Sequence, residues 1–165
     1  MLRTRPASPD DAEAIARIYN EGIEDRLATF ETRPRSPQDV HGWFDGVHPV
    51  VVAEDEAGRV VAFASTSTYR PRDCYAGIAD FSVYVGREAR GRGTGRVVME
   101  ALIAASEQAG FWKLVSRVFP QNTASLRLLR AVGFREVGRY EKHGKLDGAW
   151  LDVVIVERLI PANVR

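Results

Sequence analysis

A turn rich in glycine and arginine follows an apolar stretch in the middle of the chain, and its composition suits the binding of phosphate. Its glycines and arginines, with two arginines just upstream, are Gly91, Gly93, Gly95, Arg92, Arg96, Arg87 and Arg90. Glycines let the backbone approach an anion, a following helix N-terminus adds partial positive charge, and guanidinium groups match phosphate oxygens. The turn therefore predicts a ligand with several phosphates; the simpler alternative is a solvated turn with surface arginines.

The spacing of the glycines disfavours two common nucleotide sites. A Rossmann site needs G-x-G-x-x-G and an acidic residue about 20 positions further on. Here the spacing is G-x-G-x-G, and the next predicted strand ends in Val118-Phe119-Pro120. The lysine of a Walker motif is absent as well. NAD chemistry and nucleotide hydrolysis are both disfavoured.

Composition limits the remaining classes of function. The chain has 165 residues, a formal net charge of +1 and one cysteine, Cys74. The charge gives no reason to expect a nucleic acid or a membrane surface as partner, and no apolar run approaches the ~20 residues of a membrane span. One cysteine excludes an internal disulfide, and His41 and His48 lack partners at ligand spacing, so no metal site is predicted. With no signal peptide or anchor visible, we expect a cytoplasmic protein.

The elements that must position the turn alternate between strands and helices in a single domain, residues 1–165. Predicted strands cover residues 2–6, 50–53, 60–64, 78–85, 112–119, 134–140 and 150–159. Predicted helices run from Pro9 to about Ile23, from Pro37 through Val47, from Gly91 to Ala109, and from the Asn122 cap to Gly133. The order β-α-α-β-β-β-α-β-α-β-β predicts the α/β (α+β) class, with helices covering a mixed sheet.

With these elements in place, the chain resembles the GCN5-related N-acetyltransferase (GNAT) superfamily over its whole length. Arg90-x-x-Gly93-x-Gly95 after an apolar strand looks like the acetyl-CoA signature Q/R-x-x-G-x-G/A, and Asn122-x-x-Ser125 resembles the second coenzyme-contacting segment. The resemblance implies a mostly antiparallel sheet of about seven strands with four helices, and acetyl-CoA as co-substrate. The implied coenzyme-binding residues are Val83, Tyr84, Val85, Arg90, Gly91, Arg92, Gly93, Thr94, Gly95, Arg96, Asn122 and Ser125.

Four further segments are similar to the phosphinothricin N-acetyltransferases, and most of all to their arsinothricin branch. They are Thr29-Phe30-Glu31-Thr32, Ser82-Val83-Tyr84-Val85, Lys142-His143-Gly144 and Asp147-Gly148-x-Trp150-x-Asp152. This resemblance implies acetylation of the α-amino group of a small, glutamate-like antimetabolite, which confers resistance. It also implies a homodimer.

Acetyl transfer to an amine needs a proton acceptor, and Asp80 is the candidate. It lies on the fourth predicted strand, where the resembled family carries a catalytic glutamate, one methylene longer. The shorter side chain favours a water relay; the alternative is an ordinary polar strand residue. Leu129 stands where many superfamily members place a proton-donating tyrosine, so Tyr140, His143 or water must protonate the leaving thiolate.

Recognition of the acceptor is assigned to the loop before the fourth strand. Arg70 and Arg72 flank Pro71 and offer fork donors for a carboxylate and a side-chain oxyanion, with Tyr75 nearby. Phe30 and Glu31 are expected to form the opposite wall. The alternative is a solvated basic loop.

Other functions stay open on the sequence alone. The acceptor could instead be an ordinary L-amino acid or methionine sulfoximine. Acetylation of protein or peptide N-termini would require an open groove where this chain has its arginine-rich loop. An acyl-CoA-binding module without turnover would explain the shortened base and the missing tyrosine.

Overall fold

Seven strands form one sheet in the computed structural model, which describes residues 1–165. The strands are β1 Arg3–Pro6, β2 Val50–Glu54, β3 Val60–Thr68, β4 Ile78–Val85, β5 Lys113–Val118, β6 Arg135–Leu146 and β7 Ala149–Leu159. Their order across the sheet is β1-β2-β3-β4-β5-β7-β6, and only β4 and β5 pair in parallel. The helices are α1 Ala12–Glu24, α2 Pro37–His41, α3 Thr94–Gln108 and α4 Thr123–Ala131. The predicted fold class and element order are confirmed.

Local sequence explains where the elements begin. Residues 50–53 form a buried, largely β-branched run that suits a central strand, and β2 is buried over that length. Pro9 begins a single 3₁₀ turn and not the α-helix itself, which starts at Ala12. In that turn the Asp11 carboxylate accepts a hydrogen bond from the backbone N–H of Ser8 and pairs with Arg5 at 2.8 Å.

Other predicted boundaries were wrong as well, and β3 runs to Thr68 where the prediction ended at residue 64. α3 begins at Thr94 and not at Gly91, because Gly91 and Gly93 have φ values of 75° and 79°, outside the helical region. β6 continues past Tyr140 to Leu146; it is an exposed edge strand with a register shift between Tyr140 and Gly144, so it shows no alternation of apolar residues. α2 ends at His41, before the apolar residues predicted to extend it.

The core differs between the two faces of the sheet. On the α3 face, one cluster is continuous from β2 to β7 and includes Phe81, Leu102, Leu114 and Val156. On the α1 face, one cluster lies under α1 and a separate small one surrounds Phe119. The gap between these two clusters coincides with the β4–β5 boundary. None of the helices has the length and apolar character needed to cross a membrane.

Candidate active site

Strands β4 and β5 separate in the middle of the sheet. Their pairing covers only Ile78–Asp80 against 113–115. One residue further on, the hydroxyl of Ser116 donates a 2.9 Å hydrogen bond to the carbonyl of Phe81. Beyond that point β4 has no strand partner on this side, so the backbone groups of Val83, which face the opening, are free to bind a ligand.

The first cavity at this opening, here called the glycine-turn cavity, has a volume of about 540 Å³. It lies between the end of β4, the turn before α3 and the start of α4. The residues predicted to bind coenzyme line it, with the single exception of Arg92: Val83, Tyr84, Val85, Arg90, Gly91, Gly93, Thr94, Gly95, Arg96, Asn122 and Ser125. The end of α1 and the residues after it, which were not predicted, supply the facing wall: Gly22, Asp25, Leu27 and Ala28.

The turn is held open by its own hydrogen bonds and by the absence of side chains. The buried hydroxyl of Thr94 donates to the carbonyl of Ala89 at 3.0 Å. A Cβ on Gly95 would lie 2.8 Å from a methyl group of Leu128, so α3 approaches α4 closely there. At the start of α4, the side chain of Asn122 accepts a hydrogen bond from the backbone N–H of Ser125. The geometry is that of an anion-binding turn at a helix N-terminus.

Two arginines beside the turn are bound to acidic residues at the end of α1. Arg90 donates to Asp25 at 2.5 Å and to the carbonyl of Val85 at 3.0 Å. Arg87 donates to Asp25 at 3.0 Å and to Glu24 at 2.7 Å. The hydrogen bonds from Arg87 and then Arg90 lower the pKa of Asp25, which is therefore ionised at neutral pH.

A second cavity of about 560 Å³, here called the Asp80 cavity, lies between β3, β4, β5 and β6. The side chain of Asp80 is 20% exposed; its Oδ2 lies 3.5 Å from Nη2 of Arg117, and its Oδ1 is buried without a hydrogen-bond partner. Burial raises the pKa of this carboxyl, and the positive charges of Arg117 and Arg70 partly oppose the rise. A half-buried carboxylate that lines a cavity can accept a proton from a bound amine.

The two cavities meet where the strands separate. A narrow space of about 60 Å³ shares Val83, Asn122 and Ser125 with the glycine-turn cavity, and it shares Ser82 and Arg117 with the Asp80 cavity. A ligand extended along the free edge of β4 would therefore end at the Asp80 cavity. This arrangement can bring a group carried by one ligand to an amine held in the other cavity.

Phe30 and His143 form part of the wall of the Asp80 cavity. Phe30 packs edge-on against Phe119 at 4.8 Å between ring centroids, and it lies so close to Gly144 that a Cβ there would be 2.9 Å from the ring. His143 lines the cavity and packs on Tyr140 at 4.9 Å. Tyr140 itself is exposed and lines neither cavity.

The other residues predicted to bind the acceptor also lie outside both cavities. Glu31 pairs with Arg35 at 3.0 Å. The guanidinium of Arg70 lies 5.1 Å from the ring of Tyr69, which packs against Tyr75. Arg72 is exposed, as is Arg92 in the turn.

Sequence reasoning missed several residues that line the Asp80 cavity: Ser67, Ser116, Arg117 and Lys145. Arg117 carried no distinguishing local signal, because β5 also contains the polar residues Lys113 and Ser116. No group of three or more His, Cys, Asp or Glu side chains is placed to hold a metal ion.

Comparisons with known proteins agree with this geometry. The family model described as Acetyltransferase (GNAT) family matches residues 15–134. The chain is 31% identical over 163 residues to a phosphinothricin N-acetyltransferase of Streptomyces coelicolor, covering 95% of each protein. It is 32% identical over 157 residues to an L-methionine sulfoximine/L-methionine sulfone acetyltransferase of Pseudomonas aeruginosa, covering 93% of this chain and 91% of the relative.

Solved structures show the same arrangement of elements. A phosphinothricin acetyltransferase from Sinorhizobium meliloti, in complex with AcCoA, superposes with a TM-score of 0.89 at 31% identity. The match covers 96% of this chain and 88% of that one.

Proposed function

Because the chain belongs to the GNAT family and is an N-acetyltransferase that uses acetyl-CoA, we propose that its acceptor is the α-amino group of a small, glutamate-like antimetabolite. Arsinothricin and phosphinothricin are the acceptor type, and acetylation would confer resistance to them. One observation carries the proposal: the half-buried carboxylate of Asp80, with one oxygen lacking a hydrogen-bond partner, lines the second cavity directly beside Phe81, Ser82 and Arg117, which border the connecting space. In this proposal residues 1–165 act as one catalytic domain.

The proposed reaction places each ligand in one cavity. Acetyl-CoA lies in the glycine-turn cavity with its phosphates at the turn before α3 and its pantetheine along the free edge of β4. The thioester then reaches the narrow space between the cavities. The amino acid lies in the Asp80 cavity, with its amine directed at the thioester carbon.

In the chemical step the amine nitrogen attacks the carbonyl carbon, so the C–N bond forms and the C–S bond breaks. Asp80 accepts the proton that the nitrogen loses, directly or through one water molecule. The free N–H of Val83, on the side of β4 that has no strand partner, stabilises the negative charge on the carbonyl oxygen, and one such donor contributes about 3–4 kcal/mol. The thiolate leaves and takes its proton from water or from His143.

The contact of Phe30 with Gly144 at the Asp80 cavity favours a small acceptor over a protein N-terminus. Phe30 packs on Gly144 and joins the segment after α1 to β6, which narrows the cavity along β4. Charged groups of both signs line it, among them Asp80, Arg117 and Lys145. This mixture suits an amino acid that carries an amine and acidic groups.

We further propose a cytoplasmic homodimer. The edge strand β6 and its neighbour β7 expose Val137, Tyr140 and Trp150, which is apolar surface next to an unpaired strand edge. Sedimentation equilibrium should give twice the mass of the chain. A species with the mass of one chain at all concentrations would contradict the dimer. The cytoplasm fits a chain with one exposed free thiol, Cys74.

Release of coenzyme A tests the function. The acceptors are arsinothricin, phosphinothricin, L-methionine sulfoximine, L-methionine sulfone, unmodified amino acids and a short peptide with a free N-terminus. We expect the highest kcat/KM with the glutamate-like antimetabolites, and a host that expresses the protein should tolerate them better. A preference for the peptide, or binding of acetyl-CoA without transfer to any amine, would overturn the proposal.

A further inference from the structure

Arg117 is a cation in the Asp80 cavity with no strong partner of its own. It lies on β5, and its side chain is 45% exposed. Its single ion-pair partner is Asp80, at 3.5 Å, which is longer than the 2.7–2.9 Å typical of a strong charge-assisted hydrogen bond. By contrast, Arg90 beside the glycine turn donates at 2.5 Å.

We propose that Asp80 and Arg117 form a two-point site for the acceptor, in which Asp80 receives the α-amine and Arg117 binds the α-carboxylate. The inference rests on the proposed function, because it assumes that the acceptor is an α-amino acid. Arg117 is then a specificity-determining residue that contacts the substrate directly.

The charges of the pair mirror those of the ligand. An α-amino acid carries an ammonium and a carboxylate on one carbon, and the cavity offers a carboxylate beside a guanidinium. A bound amino acid would replace the long contact between Asp80 and Arg117 with two shorter ones. Its ammonium would contact Asp80, and its carboxylate would contact Arg117. Oδ1 of Asp80 is buried without a hydrogen-bond partner, so turning the carboxylate toward the amine breaks no hydrogen bond at that oxygen, and the guanidinium fork can take both carboxylate oxygens of the ligand.

The other cations near the cavity are less well placed for this role. Arg70 and Arg72 lie outside it, and Arg70 rests on the ring of Tyr69. Lys145 lines the cavity, but its ammonium lies 4.9 Å from the ring centroid of Trp150 and carries no planar fork. Arg117 also borders the narrow space where the thioester would end. A carboxylate held there keeps the amine of the same molecule near the reacting carbon.

The test compares the preferred amino acid of the acceptor panel with its α-carboxamide, which lacks the negative charge. Arg117→Met keeps a long, flexible side chain without charge, and Arg117→Lys keeps the charge without the fork. Arg3→Met is the matched control: Arg3 is exposed and lies on β1, four strands away from β5.

For Arg117→Met we expect kcat/KM for the amino acid to fall about 10- to 100-fold, mainly through KM, as for loss of one charged hydrogen-bonded contact. The value for the carboxamide should change little, so the preference for the acid disappears. Arg117→Lys should restore part of it, and Arg3→Met should behave as the wild type. Melting temperature and acetyl-CoA affinity verify that each variant is folded; Arg117→Gln replaces Arg117→Met if the latter does not fold.

The outcomes separate the two proposals. If the wild type acetylates amino acids and Arg117→Met retains the preference for the acid, the role of Arg117 is refuted and the function stands. An equal loss toward acid and carboxamide also refutes it, because a structural role would not distinguish the two. A wild-type protein that acetylates no amino acid refutes the proposed function itself.

Discussion

Nη1 of Arg90 lies 2.5 Å from Oδ2 of Asp25, so a carboxylate of the protein occupies a guanidinium that the sequence assigns to the phosphates of the coenzyme. Asp25 lines the same cavity as the glycine turn. Its lowered pKa keeps it ionised at neutral pH, next to the site for a strongly negative ligand. The contact orients Arg90, and at the same time the negative charge of Asp25 repels the phosphates of the coenzyme.

Asp25→Asn should lower the KM for acetyl-CoA about two- to fivefold, because the opposing charge is lost while Arg90 keeps its bond to Val85. The effect should shrink at high salt, which screens the interaction. Glu24→Gln is the control, since Glu24 pairs with Arg87 but does not line the cavity. A higher KM in Asp25→Asn would mean that orientation of Arg90 outweighs repulsion.

Asp80→Asn should reduce kcat by about 100-fold, the lower range for loss of a general base, with little change in the KM for acetyl-CoA. Steady-state kinetics with saturating acceptor measure both. Asp80→Glu should stay active, since it restores the side-chain length of the resembled family and the cavity has room. Full activity in Asp80→Asn would remove Asp80 from the mechanism.

The pH dependence should carry the signature of Asp80. Burial raises its pKa above the ordinary value of 3.8, and the base works only when it is ionised. Activity should therefore fall as the pH drops through that raised pKa, at a higher pH than for an exposed aspartate. The kcat/KM profile of the acceptor measures this limb. If the same fall of activity at low pH persists in Asp80→Asn, a group other than Asp80 causes it.

The sequence predicted the order of the elements, and the residues it assigned to the coenzyme line one cavity with the exception of Arg92, because both features depend on local patterns. The run of residues 50–53 and the Asn122 cap report their structure directly. The acceptor side depends on contacts between distant segments, such as Phe30 on Gly144 and Arg117 beside Asp80. No local pattern encodes them, so Arg117 was missed while the exposed Arg70 was favoured.

Gly93→Ala should raise the KM for acetyl-CoA about fivefold, because a left-handed residue with a Cβ costs about 1–2 kcal/mol and the turn would relax away from its anion-binding form. Gly58→Ala is the matched control. Gly58 has φ of 78° against 79° for Gly93, and neither has an atom within 4 Å of an added Cβ. Both variants should melt at lower temperature, but only Gly93→Ala should affect the coenzyme. If Gly93→Ala and Gly58→Ala had the same KM for acetyl-CoA, the conformation of the turn at Gly93 would not contribute to coenzyme binding.

Gly144→Ala should raise the KM for the acceptor about tenfold, since the new methyl group would displace Phe30 and such overpacking costs about 1–3 kcal/mol. The KM for acetyl-CoA should not change. Gly138→Ala on the same strand is the control, because its Cβ would meet nothing within 4 Å. If both variants keep the wild-type KM, Phe30 does not shape the acceptor cavity.

The opening between β4 and β5 affects only one face of the sheet. On the α3 face the apolar core runs across it without a break, while on the α1 face two separate clusters stand on either side. The two halves of the sheet are thus joined by apolar packing on the α3 face and separated on the α1 face. Any relative movement of the two halves would hinge on the continuous packing of the α3 face. Ligands bound between the two halves would connect them. Donor and acceptor together would therefore make the protein stiffer than either ligand alone.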